Sequence, residues 1–188
     1  IDKKDGVGVC EVFLTPGISL QEIVQNGKHQ NLDLLLSNIQ DLLAEQTVNK
    51  IAADYYHISQ WLEQNASSDY EFIIIDAPAS TSPISINAML AADLIIVPLE
   101  CEALAIKSLK RFLQAFKELQ KNIEPGLRLA GILLTMYDDE ILSHQQVCRQ
   151  IYQTLGDSVF ETIIPNCPYI LEASSMGIDV IQRHLNSE

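Results

Sequence analysis

Short apolar runs alternate with longer segments of helical period along this chain, and turn residues separate the two kinds of segment. Apolar residues stand on both faces of the short runs, as they do in strands buried between two layers of helices. Strands that alternate with helices in this way predict an α/β fold with a parallel sheet. The predicted strands are LDLLLSN (32–38), EFIIID (71–76), LIIVPL (94–99), RLAGILLTM (128–136) and VFETIIP (159–165).

Helical spacing predicts surface helices over residues 50–65, 103–121 and 139–155. The middle helix is the clearest, because its apolar residues recur at helical spacing and lysines fall between them. We assign its apolar stripe to the core rather than to a cofactor site, and KSLKR (107–111) to the solvated edge of the helix. The stripe consists of Leu104, Leu109, Phe112, Leu113, Phe116 and Leu119, and the lysines are Lys107, Lys110 and Lys117.

Length and charge narrow the possible functions. A chain of 188 residues with 47% hydrophobic content is long enough for one domain with its own core. Its formal charge of -13 opposes long-range attraction to nucleic acid or to an anionic membrane. No apolar run approaches the roughly 18 residues of a membrane span. The four cysteines are far apart in sequence, so we predict reduced thiols in a cytoplasmic protein.

Asp76 is the first candidate for chemistry. Four apolar residues lead into it, and this is the Walker B pattern, in which an aspartate at the end of a buried strand holds Mg²⁺, often through water, beside a phosphate chain. The alternative is that Asp76 only caps the following turn through its carboxylate, and Pro78 makes that turn rigid. Both interpretations stay open at this point. The four histidines have no metal-ligand spacing, and the serines after Asp76 lack a G-x-S-x-G elbow.

Five segments follow one another in a recognisable order: FIIIDAPAS, INAMLAADLIIVPLECEALAIKSL, GILLTMYD, FETIIP and LEASSMG. Together they cover roughly residues 70–178 and resemble the ParA/MinD family of deviant P-loop ATPases, specifically its ParA/Soj branch. The resemblance implies a single ATPase domain over 1–188, with a doubly wound, mostly parallel sheet and helices on both faces. It also implies ATP or ADP with Mg²⁺ as cofactors, a homodimer, a ParB-like partner and a role in plasmid or chromosome segregation.

The resemblance also implies roles for individual residues. Asp76 becomes the catalytic carboxylate that acts on Mg²⁺ and on the surroundings of the attacking water, and Pro78 shapes the switch segment behind it. An adenine pocket is expected at two strand ends, although the same residues could be ordinary strand-end core: Thr135, Met136, Pro165 and Asn166. Glu100 and Glu102 lie in another segment that matches the family. The alternative that they are only solvated carboxylates in a turn has equal weight.

The chain departs from the family in its phosphate-binding loop. Members hold ATP with K-G-G-V-G-K-T after a first strand. KDGVGVC (4–10) partly resembles that loop, but Val9 and Cys10 occupy the positions where Lys and Thr are needed. Gly27-Lys28 does not match the loop either. Neither a preceding strand nor a following apolar helix is predicted around KDGVGVC. We therefore expect the chain to begin beyond the loop and the second strand, with IDKKDGVGVCEVFL leading to a helix at SLQEIV, and to be inactive alone. Loss of those strands predicts an exposed apolar edge that a swapped or dimeric arrangement would cover.

The residues expected to contact DNA are also replaced. The ParA/Soj branch binds DNA through arginines after T-M-Y-D and near I-P-R-N, and here those places hold DDEIL (138–142) and NCPYILEA (166–173). A phosphate contact that releases counterions needs a cation, so we predict no DNA binding. Ala79 replaces the second proline of D-x-P-P, which could loosen the switch segment. The alternative function is a degenerate, non-catalytic module that dimerises or holds a protein partner.

Overall fold

The computed structural model of the chain describes residues 6–27, 29, 31–39, 42–66, 70–178 and 180. Lys4 and Asp5 of the loop-like KDGVGVC, together with Lys28 and His184, lie outside these residues. The described residues form two compact units. The first unit comprises the part up to Asp93 together with Gln120–Leu127, and the second comprises Leu94–Leu119 and the part from Arg128 onward. That residues 1–188 act as a single domain stays a prediction.

The first unit is mainly helical, and the second carries the main sheet. The elements up to Asp93 are the helices α1 (Val9–Leu14), α2 (Leu20–Ile23), α3 (Leu42–Ile51), α4 (His57–Asn65) and α5 (Pro83–Leu90), with the short strands β1 (Gln25–Asn26) and β2 (Asp33–Leu34). Those that follow are β3 (Ile95–Glu100), α6 (Ala103–Asn122), β4 (Leu129–Tyr137), α7 (Leu142–Leu155), a 3-10 turn (Gly156–Ser158), β5 (Val159–Pro165) and α8 (Pro168–Met176).

The sheet of the second unit is parallel, with the strand order β3-β4-β5. Ile132 and Leu134 alternate onto one face of β4 and are fully buried there. The same core cluster contains Leu109 of α6 and Val147 and Ile151 of α7, so both helices pack on this face. The α/β class with a parallel sheet is therefore confirmed, and three predicted strands and two predicted helices lie within a few residues of their expected positions.

The packed stripe of α6 begins later than predicted. Leu109, Phe116 and Leu119 are buried, but Leu104 in the first turn is 78% exposed. The first-turn contacts with the core come from Ala105 and Ile106 instead. The prediction that Leu104 belongs to the core is therefore wrong.

The first unit has a core of its own, around Ile23, Val48 and Trp61. Trp61 of α4 packs its ring into this core and donates its indole N–H to the carbonyl of Ile18 at 2.8 Å. This hydrogen bond satisfies the polar atom of a large, otherwise apolar side chain. The helix expected at SLQEIV is present as α2. The sequence did not predict α1, a short helix at Val9–Leu14 directly after KDGVGVC.

The single helix predicted over 50–65 is instead two helices, α3 and α4, and a distant side chain explains the break. Asn87 of α5 is fully buried and donates its amide to the carbonyls of Ala52 (2.8 Å) and Asp54 (2.9 Å). Its side-chain oxygen accepts from the N–H of Ile58 at 2.9 Å. One side chain thus binds backbone groups at the end of α3 and the start of α4, which helix ends otherwise leave unpaired.

The prediction of a buried central strand at 71–76 is also wrong. Residues 72–78 have no assigned secondary structure, and no described residue forms a backbone hydrogen bond with 72–76. Phe72 is 78% exposed and Ile74 is 92% exposed. An apolar run becomes a sheet strand only when neighbouring strands pair with its N–H and C=O groups, and here the described residues supply none. The run predicted at 32–38 likewise forms a strand only at Asp33–Leu34, antiparallel to β1.

Candidate functional site

The carboxyl ends of β3, β4 and β5 meet at one edge of the parallel sheet. Thr135 is in register with Glu100, and Tyr137 with Pro165. The backbone N–H of Asn166 donates to the carbonyl of Tyr137 at 2.7 Å, which fixes the end of β5 against the end of β4. Open α/β sheets bind ligands outside the carboxyl ends of their strands. The structure thus brings the four predicted pocket residues, Thr135, Met136, Pro165 and Asn166, to the edge where such sites form.

Met136 has a backbone conformation that the sequence did not indicate. Its φ of 53° lies in the left-handed region, which costs a residue with a Cβ about 1–2 kcal/mol. The pairing of β4 with β5 is irregular between Leu134 and Tyr137, so the strain coincides with a break in the ladder. Such irregularities turn a strand and redirect its side chains, often beside functional sites. Met136 is half exposed as a result.

Asn166 offers both kinds of hydrogen-bonding group at this edge. The residue is exposed, and its side-chain amide makes no hydrogen bond to the described residues. An asparagine amide carries two donors and one acceptor, the combination that can pair with the edge of a heterocyclic base. Pro165 beside it is also exposed. These residues therefore fit a flat, nitrogen-rich ring such as adenine.

The cysteine next to this edge is buried and inert. Cys101 follows β3, and its N–H donates to the carbonyl of Thr135 at 3.3 Å. Burial raises the pKa of the Cys101 thiol, and nearby Cys148 raises it further. Burial also raises the pKa of Cys148. Both thiols stay protonated at neutral pH and act as small apolar groups rather than nucleophiles, and all four cysteines are free.

Asp76 and Pro78 lie in the first unit. Asp76 is exposed, and its carboxylate accepts no hydrogen bond from the described residues. The N-cap of α5 is Ser82, whose hydroxyl accepts from the N–H of Ser85 at 3.4 Å, and Ser85 donates its hydroxyl to the carbonyl of Pro78 at 3.2 Å. Hydroxyl groups therefore hold the turn after Asp76, and the alternative in which Asp76 caps that turn is not observed. The sequence pattern did not assign these two serines a role.

The described residues contain no cluster of three or more His, Cys, Asp or Glu side chains that could hold a metal ion. A lone exposed carboxylate nevertheless suits Mg²⁺, which keeps several waters and is often bound by one or two carboxylates together with substrate phosphates. Asp76 fits a Mg²⁺ ion that arrives with a nucleotide and does not fit a metal site built by the protein alone.

In the described part of the loop-like KDGVGVC, Gly6–Cys10, protein acceptors bind three of the backbone amides. The N–H of Gly8 donates to the carboxylate of Glu11 (2.6 Å), that of Val9 to the carbonyl of Leu36 (2.9 Å), and that of Cys10 to the side-chain oxygen of Asn38 (2.8 Å). A phosphate-binding loop needs these groups to point at the ligand. The rejection of KDGVGVC as a P-loop agrees with this geometry.

Comparison with known proteins confirms the resemblance. A family model described as an AAA domain matches residues 2–129. The chromosome-partitioning ATPase Soj of Thermus thermophilus is 39% identical over 113 residues, which is 60% of this chain and 45% of the relative. The chromosome partitioning protein ParA of Caulobacter vibrioides is 32% identical over 138 residues, 73% of this chain and 52% of the relative. The chain thus spans about half the length of these relatives.

A solved structure agrees in fold. Cobyrinic acid a,c-diamide synthase from Mycobacterium smegmatis, with bound ADP and magnesium, matches with a TM-score of 0.75 and 26% identity over 93% of this chain and 75% of that one. The fold is therefore of the α/β P-loop NTPase type. The chain belongs to the AAA domain family, and within it to the ParA/MinD group. Among the described helices, none is long and apolar enough to cross a membrane.

Proposed function

We propose that this chain is part of a ParA-like ATPase that segregates plasmid or chromosome copies or positions other cargo. The observation that carries the proposal is the meeting of Thr135, Met136, Pro165 and Asn166 at the carboxyl edge of the sheet, in a chain of the ParA/MinD family. In this proposal those residues hold the adenine. The exposed amide of Asn166 would pair with the edge of the base.

The proposal also gives roles to Asp76 and Pro78 of the first unit, and these roles rest on the family resemblance alone. ATP with Mg²⁺ supplies the phosphoryl group and the neutralising charge when it is bound. Asp76 would hold the metal and would help to position the attacking water. The hydroxyl of Ser85 holds the turn at Pro78, two residues after Asp76.

The described chain lacks the groups that would stabilise the transferring phosphoryl group. The amides of Gly8, Val9 and Cys10 are already paired, and the sequence contains no K-G-G-V-G-K-T. Phosphoryl transfer depends almost entirely on positioning and electrostatic stabilisation. We therefore expect the chain alone not to hydrolyse ATP.

Isothermal titration tests this assignment. ATP with Mg²⁺ is titrated into the purified chain and, in parallel, into the full-length product of its gene. We expect heat of binding from the full-length product and none, or far less, from the chain alone. Asn166→Ala in the full-length product should weaken binding of ATP, whereas Asn122→Ala, at an exposed position on α6, should not. Absence of binding by both proteins would contradict the ATPase proposal.

Partners follow from the same family assignment. We propose that the full-length protein acts in the cytoplasm as a nucleotide-dependent homodimer and works with a ParB-like protein. DNA binding is not part of the proposal, since Asp139 and Glu140 are exposed where the family uses arginine. Tight binding of the full-length protein to double-stranded DNA in an ATP-dependent shift assay would contradict this point.

One observation supports the alternative of a non-catalytic module that dimerises. Phe72, Ile73 and Ile74 are exposed in an extended segment with an unpaired backbone. Exposed apolar strands of this kind pair with other strands when these are available. Light scattering measures the oligomeric state of the chain alone and separates the two cases. A dimer that dissociates in the Ile74→Lys variant would favour the non-catalytic module. A monomer would count against it.

A further inference from the structure

The exposed face of α6 carries five cations in a strongly acidic protein. The chain has 12 lysines and arginines against 25 aspartates and glutamates. Five of the cations are exposed on this helix. Lys121 belongs to the first unit, and we name the four that belong to the second unit the α6 basic stripe: Lys107, Lys110, Arg111 and Lys117. The net charge of this helix is therefore positive, whereas that of the whole chain is negative.

The four side chains form one continuous strip. At about 100° per residue their positions fall within about 120° of the helix circumference, opposite the buried Leu109 and Phe116. From Lys107 to Lys117 the strip is about 15 Å long, at a rise of about 1.5 Å per residue. The apolar face of α6 is held in the core, so the strip is presented from a fixed helix.

Carboxylates of the described residues do not neutralise the stripe. None of its four members forms an ion pair with another described residue. Glu118, which lies on the same face, accepts a hydrogen bond at 3.5 Å from Gln114, also on α6. The positive charge of the stripe is therefore available to an outside partner.

We propose that the α6 basic stripe binds a short acidic segment of a partner protein. An extended peptide rises about 3.3 Å per residue, so roughly five residues span the stripe. A nucleic acid would extend beyond the stripe and bring phosphates close to an otherwise acidic chain. Salt screens charges only partly within about 8 Å, so these phosphates would be repelled. The exposed Leu104 at the amino-terminal end of α6 adds an apolar contact, which suits a polypeptide better than a phosphate chain.

Fluorescence anisotropy tests the proposal on the full chain. The probe is a labelled peptide of about six glutamates followed by a leucine, at about 50 mM NaCl, where charges are weakly screened. The test variant is Lys107→Gln with Lys110→Gln. The matched control is Arg128→Gln with Arg149→Gln, which removes the same charge from exposed positions outside the stripe.

The stripe variant should bind the peptide about tenfold more weakly than the unchanged chain, and the control less than about twofold more weakly. Equal losses in both variants would overturn the proposal, because they would show a general charge effect. Absence of peptide binding would also overturn it. The proposal would also be overturned if the chain bound double-stranded DNA more tightly than the peptide and the stripe variant lost this binding. Circular dichroism verifies that both variants are folded.

Discussion

Removal of the Asn87 side chain should destabilise the first unit strongly. Asn87 is fully buried and makes three hydrogen bonds, to the carbonyls of Ala52 and Asp54 and from the N–H of Ile58. Each such bond contributes about 1 kcal/mol net, and truncation leaves buried backbone groups unpaired. Asn87→Ala is therefore expected to lower the free energy of unfolding by about 3 kcal/mol.

The assay is urea unfolding followed by tryptophan fluorescence. Trp61 is the only tryptophan of the chain and lies in the same unit as Asn87, buried with its N–H on the carbonyl of Ile18. With a slope of about 2 kcal/mol per M urea, the midpoint should fall by about 1.5 M. Gln64→Ala, at an exposed position on α4, is the control and should change the midpoint little.

Asn87→Asp separates hydrogen bonding from packing. The substitution keeps the size of the side chain and the acceptor for Ile58, but it places a carboxylate oxygen against the carbonyls of Ala52 and Asp54. The aspartate variant should be at least as unstable as the alanine variant at neutral pH. If Asn87→Ala shifts the midpoint no further than Gln64→Ala does, the proposed joining of α3, α4 and α5 by this side chain is refuted.

Two further predictions concern Gly8 and Cys101. A Cβ at Gly8 would overlap the carbonyl oxygen of Leu36, so Gly8→Ala should cost about 3 kcal/mol. Gly17→Ala has open space but a φ of 77°, and should cost about 1 kcal/mol; the reverse order in the urea assay would contradict the close approach. Because burial raises the pKa of the Cys101 thiol in the folded chain, this thiol ionises more easily in the unfolded chain. The contribution of the buried thiol to the free energy of unfolding is therefore complete below the ordinary pKa of 9.0 and is lost as pH rises above it. Cys101→Ala should therefore show a shallower loss of stability between pH 8 and about pH 10.5 by circular dichroism, and an unchanged slope would argue against this cause.

The elements predictable from sequence are those whose local apolar pattern agrees with the way they pack in the core. VFETIIP coincides with β5, and α6 extends one residue beyond its predicted end. Their apolar residues meet those of β4 and α7 in one core, so local periodicity and tertiary packing agree. The edge that gathers Thr135 and Asn166 was predictable for the same reason, since parallel strands end together.

The failures depend on groups that periodicity does not report. EFIIID has a strand pattern, yet a strand also requires neighbours, and the described residues provide no backbone partner for it. The break between α3 and α4 depends on Asn87, which is about thirty residues away in sequence. The left-handed φ of Met136 also has no local signal, because methionine carries no preference for that region.

We propose that Asp76 serves Mg²⁺ and the attacking water in a ParA-like ATPase. The most direct measurement is Mg²⁺-dependent phosphate release by the full-length gene product, compared with its Asp76→Ala variant. Asp93→Ala is the matched control, since Asp93 is an exposed aspartate of the same unit. We expect a loss of about a hundredfold or more for Asp76→Ala and little change for Asp93→Ala. Equal rates for the unchanged protein and the Asp76 variant would contradict it.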